Sequence, residues 1–221
     1  MTLSLLSRAD LHDHCAGWSD PLGQLGDDAS KIAYVRRRLP DLLESRPLIT
    51  AILGEIKRHT GGPERSGRML FDNEWLLYMD ARRRFSVRMY LYGPKEVTFV
   101  HDHSSWGVLG NASGKMEIVK YRRKDDGRKS GYALIEETQR MTFTPGRIDT
   151  TLPLDGGIHR IGNPTDQTIV VVNVYGTPLR RLFINHFDIE NNRIAKIFPP
   201  QVKRKLLAAD ALAVFAANAT P

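Results

Sequence analysis

The chain has 221 residues, 41% hydrophobic and 26% charged, the balance of a folded globular protein and enough chain to close one large core with appended helices. No run approaches the roughly 18 apolar residues that cross a bilayer, and Met1 to Asp10 lacks the basic-then-apolar pattern of a secretory leader. A single cysteine, Cys15, excludes an intramolecular disulfide and a thiolate metal cage, so a reducing cytoplasm is the expected compartment. The 32 basic and 25 acidic residues leave a net charge of +7, which raises the question of a nucleic-acid partner. The basic residues sit in short scattered clusters (Arg36-Arg37-Arg38, Arg82-Arg83-Arg84, Arg122-Arg123-Lys124 and Lys203-Arg204-Lys205), three of them beside turn or terminal signals. No nucleic-acid module accompanies them, so solvated surface is expected, with neither nucleic acid nor membrane as partner.

Residues 1–68 read as helical. Ser30 to Val35 continues into Leu39, and Asp41-Leu42-Leu43 leads to Ile49, Ile52, Leu53 and Ile56 at three-to-four spacing. Pro40 and Pro47 are expected to divide this stretch into short helices, and Gly61-Gly62-Pro63 to end the last one. From about residue 69 the period changes to that of strands. Phe85–Tyr92 is rich in β-formers, and further strands are expected at 97–100, 106–109, 115–121, 132–137, 140–143, 157–161 and 168–175. Turn signals at Asp125-Asp126-Gly127, Pro145-Gly146, Asp155-Gly156-Gly157 and Asn163-Pro164 separate them. Many short strands at this spacing indicate a sandwich or barrel over residues 69–200, with residues 1–68 packed on it and 201–221 as a helical tail.

Two pairs among the seven histidines share the pattern His-Asp-His. His12 and His14 lie in the helical segment, where residues i and i+2 point about 200° apart and cannot share an ion. His101 and His103 follow the β-run Val97–Val100, and on a strand i and i+2 project from one face. Asp102 then points the other way. A third imidazole from a facing strand, His159 in Gly157-Ile158-His159-Arg160-Ile161, completes a candidate three-histidine metal site with open positions.

The surroundings resemble the two cupin motifs. The first appears as Gly93, then His101-x-His103, then Gly110 and Gly114; the second as Pro153-Leu154-Asp155-Gly156-Gly157-Ile158-His159-x-x-x-Asn163. Ordinary cupins place a glutamate ligand four to six residues after the second histidine, where this chain has Gly107, Val108 and Leu109. A cupin with three histidines and no glutamate is similar to the thiol dioxygenases, within these to the bacterial cysteine dioxygenase and 3-mercaptopropionate dioxygenase group. The resemblance covers about residues 70–180 and is strongest at Arg84-Phe85-Ser86-Val87, His101–Gly110 and Ile158–Asp166, continuing into Asn173-Val174-Tyr175-Gly176. It implies a mostly β fold, the cupin double-stranded β-helix (jelly-roll barrel), with N-terminal helices and a C-terminal helix. It also implies Fe(II) on His101, His103 and His159, and a small-molecule thiol oxidised by O2 to a sulfinate.

Two departures bear on that implication. Relatives carry a Ser-His-Tyr relay; here the aligned positions are Val171, Asn173 and Tyr175. Tyr175 and Asn173 remain the candidate catalytic pair, although an amide cannot relay a proton as imidazole can. Relatives also hold the substrate carboxylate with an arginine just upstream of the first strand, where this chain has Glu74-Trp75-Leu76-Leu77-Tyr78. Arg88, sharing a strand face with Tyr90 and Tyr92, is the replacement candidate for substrate binding, with Tyr90 beside it, if that face lines the cavity rather than solvent. Arg160 is expected to point away from the metal, into an ion pair behind the ligands or at the surface rather than onto substrate, Trp106 to pack or form a pocket wall, and no cysteine crosslink to Tyr175 is expected, since Val108 lies where some relatives carry that cysteine. Three readings stay open: an iron thiol dioxygenase, a cupin iron enzyme acting on a non-thiol metabolite, and a non-enzymatic metal- or ligand-binding cupin. A monomer or homodimer fits each.

Overall fold

The structure is a computed structural model that describes residues 5–58, 71, 73–179 and 181–217. Four helices come first: α1 (Leu5–Ala16), α2 (Ser19–Gln24), α3 (Asp28–Glu44) and α4 (Arg46–Arg58). Asp27 caps α3, its carboxylate accepting from the Ser30 N–H at 2.8 Å. The expected division at Pro40 does not occur, because α3 runs through it. A proline inside a helix costs roughly 3 kcal/mol. Around it Leu39, Leu42 and Leu43 are buried, each contributing about 1.5–3 kcal/mol, and burial outweighs the break. Pro47 stands in the first turn of α4, where its missing N–H is not needed. The Gly61-Gly62-Pro63 signal lies outside the described residues.

Eleven strands follow: β1 (Glu74–Met79), β2 (Phe85–Tyr92), β3 (Val100–His101), β4 (Gly107–Asn111), β5 (Met116–Arg123), β6 (Ile135–Phe143), β7 (Ile148–Thr151), β8 (His159–Gly162), β9 (Ile169–Gly176), β10 (Ile184–Asp188) and β11 (Arg193–Ile197). One sheet runs β1-β2-β9-β4-β7 and the other β11-β10-β3-β8-β5-β6, all pairings antiparallel. This is the double-stranded β-helix of the cupins, followed in the chain by α5 (Pro200–Ala217), whose described side chains are almost all exposed.

The sequence expectation needs several corrections here. The strands expected at 132–137 and 140–143 are one, β6. It is an edge strand whose middle is exposed and charged, tied to β5 by Arg122–Glu136 at 3.1 Å and Arg140–Glu117 at 3.0 Å, so no hydrophobic alternation marks it. The strand expected at 97–100 reduces to a bridge at Val97 and the start of β3. The one expected at 157–161 begins in a 3-10 turn, Leu154–Gly157, and joins the sheet only at His159. Strands β1, β7, β10 and β11 were not expected at all.

Strand alternation sorts the side chains. Val87, Met89, Val108, Val172 and Val174 face out and pack with Val35, Leu39, Leu42 and Ile52 of the helices. Tyr90, Tyr92, Leu109, Ile169 and Val171 of the first sheet meet Met116, Ile118 and Ile161 of the second inside the barrel. That apolar plug fills one end of the interior and leaves the other end polar.

Candidate metal centre

His101 ends β3 and His159 opens β8, and the two are direct cross-strand partners. The register continues on both sides, His186 opposite His101 and Lys120 opposite His159. Cross-strand partners share a face, so His186, His101, His159 and Lys120 form one row. His103 lies two residues past the end of β3 and turns back toward that row. The three rings stand 5.0, 4.9 and 4.7 Å apart, all three residues are buried, and one nitrogen from each lies within 4.8 Å of the others. The Nε2 atoms of His103 and His159 are 3.0 Å apart, about the separation of two adjacent ligands on an ion with bonds near 2.1 Å.

Electrostatics supports the same use. Burial among apolar groups, including the Phe71 and Phe99 rings 5.2 and 5.4 Å from His101, pushes His101 down to about 4. Burial and the neighbouring histidines hold His103 and His159 well below the usual imidazole range. All three are neutral near pH 7, the form that binds metal. His101 Nδ1 lies 2.9 Å from the Phe99 carbonyl; as donor there, it leaves the Nε2 lone pair turned inward. The donor set therefore fits a divalent transition metal on three imidazoles.

Asp102 has a larger part than pointing away. It is fully buried and receives both arms of Arg181, at 2.9 and 2.7 Å. It also accepts from the Asn185 backbone N–H and side-chain amide, each at 2.7 Å. Arg181 donates as well to the His103 carbonyl at 3.0 Å. This clamp fixes the peptide between two ligands just where β3 has ended. Its partners lie on and just before β10, so alternation of His-Asp-His alone did not reveal them.

The opposite wall comes from the first sheet. Arg88, Asn173, Leu109 and Asp149 are successive cross-strand partners, as are Ser86, Tyr175, Gly107 and Thr151. Arg88, Tyr90 and Tyr92 thus face the interior, and Val87 and Met89 the helices. The Tyr175 ring stacks on His103, centroids 5.6 Å apart and planes 24° from parallel. Asn173 Nδ2 donates to the Tyr175 hydroxyl at 3.1 Å, and Tyr90 lies close by on the same inward face. Burial raises Tyr175 above the usual phenol range despite the bond from Asn173. Arg88 donates from Nε to Ser86 Oγ at 3.2 Å and forms an ion pair with Glu74. Lys120 reaches across from the second sheet to Asp149 at 2.7 Å and the Thr150 carbonyl at 3.2 Å.

The remaining candidates lie elsewhere. His12 is exposed on α1, and Cys15 is buried among the helices, its thiol pushed up to about 12 by that burial. Arg160 pairs with Glu117 at 3.4 Å. Val108 points to the helices, away from Tyr175. Trp106 packs in the outer cluster and lines a cleft with Leu22, Leu25, Arg84 and Thr177, on the helix side of the first sheet and away from the histidines.

Fold and site together define a class: a cupin-fold barrel with a buried three-histidine cluster able to hold a metal ion. No profile of a known protein family matches the sequence. Solved structures of similar fold include a Cupin 2 conserved barrel domain protein from Salinispora arenicola (19% identity, 51% of this chain and 83% of that one, TM-score 0.36). The polyketide cyclase RemF from Streptomyces resistomycificus is another (18%, 54% and 72%, TM-score 0.37). A third is a cupin-superfamily sugar phosphate isomerase from Silicibacter pomeroyi (15%, 52% and 68%, TM-score 0.33). At these identities and scores the likeness concerns the fold alone. Among the described residues no helix is long and apolar enough to cross a membrane.

Proposed function

We propose that the protein is a mononuclear non-haem iron enzyme of the thiol dioxygenase type, adding both atoms of O2 to the sulfur of a small thiol to give a sulfinate. The observation that carries this reading is a ligand cluster of three neutral histidines with no carboxylate among the described residues, beside a partly buried tyrosine stacked on one of them. His101, His103 and His159 would hold iron(II), and because all three are neutral the bound ion would supply its full positive charge to favour the thiolate form of the substrate and to activate O2. The balance is complete with these reactants: sulfur gives up four electrons, the two oxygen atoms accept them, and the thiol proton leaves with the sulfinic acid.

The protein's own groups bind and orient. The Tyr175 oxygen accepts from Asn173, so its own hydrogen is left to donate to another group, and a raised pKa keeps it a donor near neutral pH. Asn173 holds the hydroxyl in place without carrying protons. Tyr90 and the paired Arg88 face the substrate's far end. The inert Val171 and the amide at 173 favour one second reading, a cupin iron enzyme acting on a non-thiol metabolite. Metal analysis and oxygen uptake decide: bound iron with thiol-dependent uptake and sulfinate product supports the first, whereas iron-loaded protein that consumes O2 only with a non-thiol overturns it.

A further inference from the structure

A cleft of about 260 Å³ lies between the helices and the first sheet. The sheet contributes Arg84, Trp106 and Thr177, each next to the end of a strand, and the helical segment contributes Leu22, Leu25 and Lys31. Strand alternation puts this cleft on the other side of the sheet from the metal centre: Trp106 packs outward, whereas its neighbour Gly107 meets Tyr175 inside. Arg84 is held in place by one nitrogen. Its Nη1 donates to the Ser19 carbonyl at 2.6 Å and the Ser19 hydroxyl at 3.2 Å, and lies 3.4 Å from Asp20. The guanidinium rests on Gly23, where an added Cβ would collide with it. Its Nε–Nη2 edge has no partner among the described residues. Lys31 stands 3.7 Å from Asp28, too far for a hydrogen bond.

The Nε–Nη2 edge of a guanidinium takes the two oxygens of a carboxylate side by side, and here the Lys31 ammonium lines the same small space. Trp106 and Leu25 supply carbon surface beside them. Asp28 also borders the cleft, but it is 47% exposed against 29% for Arg84 and 25% for Lys31, so water screens its charge more than theirs. We propose that this cleft is a second binding site, for a small organic carboxylate. Arg84 and Lys31 take the anion, and Trp106 and the leucines cover its carbon body. The site stands apart from the metal and does not depend on the thiol reading above.

The test is calorimetry on the full chain, metal-free and iron-loaded, with benzoate and its neutral isostere benzamide. Benzoate is expected to bind both forms equally, and about tenfold tighter than benzamide. Arg84→Gln would also remove the bonds to Ser19 that hold α2, so the arginine is tested through Gly23→Ala, which keeps every charge and moves the guanidinium. Gly23→Ala and Lys31→Gln should each weaken benzoate by about fivefold and leave benzamide unchanged, with thermal melts confirming that both variants fold. Benzoate that binds no tighter than benzamide overturns the proposal, as does benzoate that binds the iron-loaded chain alone. Wild-type affinity in both variants overturns it too. Inorganic phosphate binding more tightly than benzoate would overturn the choice of a carboxylate.

Discussion

Three imidazoles share one small volume because a two-residue strand, β3, meets the first residue of β8 in register, and because the chain after β3 is held rather than free. Asp102 supplies the hold. Its carboxylate gathers four donors from Arg181 and Asn185, and Arg181 also holds the His103 carbonyl. Asp102→Asn leaves the Arg181 guanidinium, 12% exposed, without its counter-charge, and should destabilise the fold by about 3–5 kcal/mol. It should also weaken metal binding by about 10- to 100-fold through misplacement of His103. Denaturant melts and competitive metal titration measure both, and wild-type metal affinity in a folded Asp102→Asn protein would contradict the clamp. The Glu74–Arg88 pair belongs to this scale as well. Either residue reads alone as an ordinary strand charge, and the pairing appears only when β1 and β2 are set in register.

Among the elements, those buried on both faces were the most legible in sequence. β2, β4 and β9 read as strands because one face packs on helices and the other closes the barrel. β7 escaped notice because its inward residues, Asp149 and Thr151, face the polar end of the interior. The hairpin β10–β11 escaped because polar residues interrupt both of its short strands, although Asn191 and Asn192 mark the turn, Asn192 at φ 51°. The same reasoning covers the site. The two-residue spacing of His101 and His103 identifies the ligand pair, whereas Arg181 and Asn185 were hidden with the unrecognised region around β10. Within β4, Gly107 is required by close approach: a Cβ there would lie 2.8 Å from the Tyr175 ring and 2.9 Å from Thr151 Cγ2. Gly107→Ala should therefore push Tyr175 off His103, costing about 1–3 kcal/mol of stability and most of the oxygen uptake. Unchanged kinetics would show that Tyr175 does not need this position.

For the whole molecule, the buried histidines couple folding to pH and to metal. In the metal-free protein His101 binds a proton only near pH 4, whereas the unfolded chain binds it near the usual 6.5. Stability is therefore complete above pH 6.5 and falls as the pH drops from there toward 4. His103 and His159 act in the same direction. Thermal melts of metal-free wild type and His101→Gln across this range should give a shallower slope for the variant; identical slopes would remove His101 from the coupling. The helices, the two sheets and the graded interior all lead to one point in the barrel. Its content is tested most directly by the metal bound per chain in the wild type and in His101→Ala, His103→Ala and His159→Ala. About one transition-metal ion per wild-type chain, and loss of most of it in each variant, is the predicted result; full occupancy in all three variants would contradict the three-histidine site.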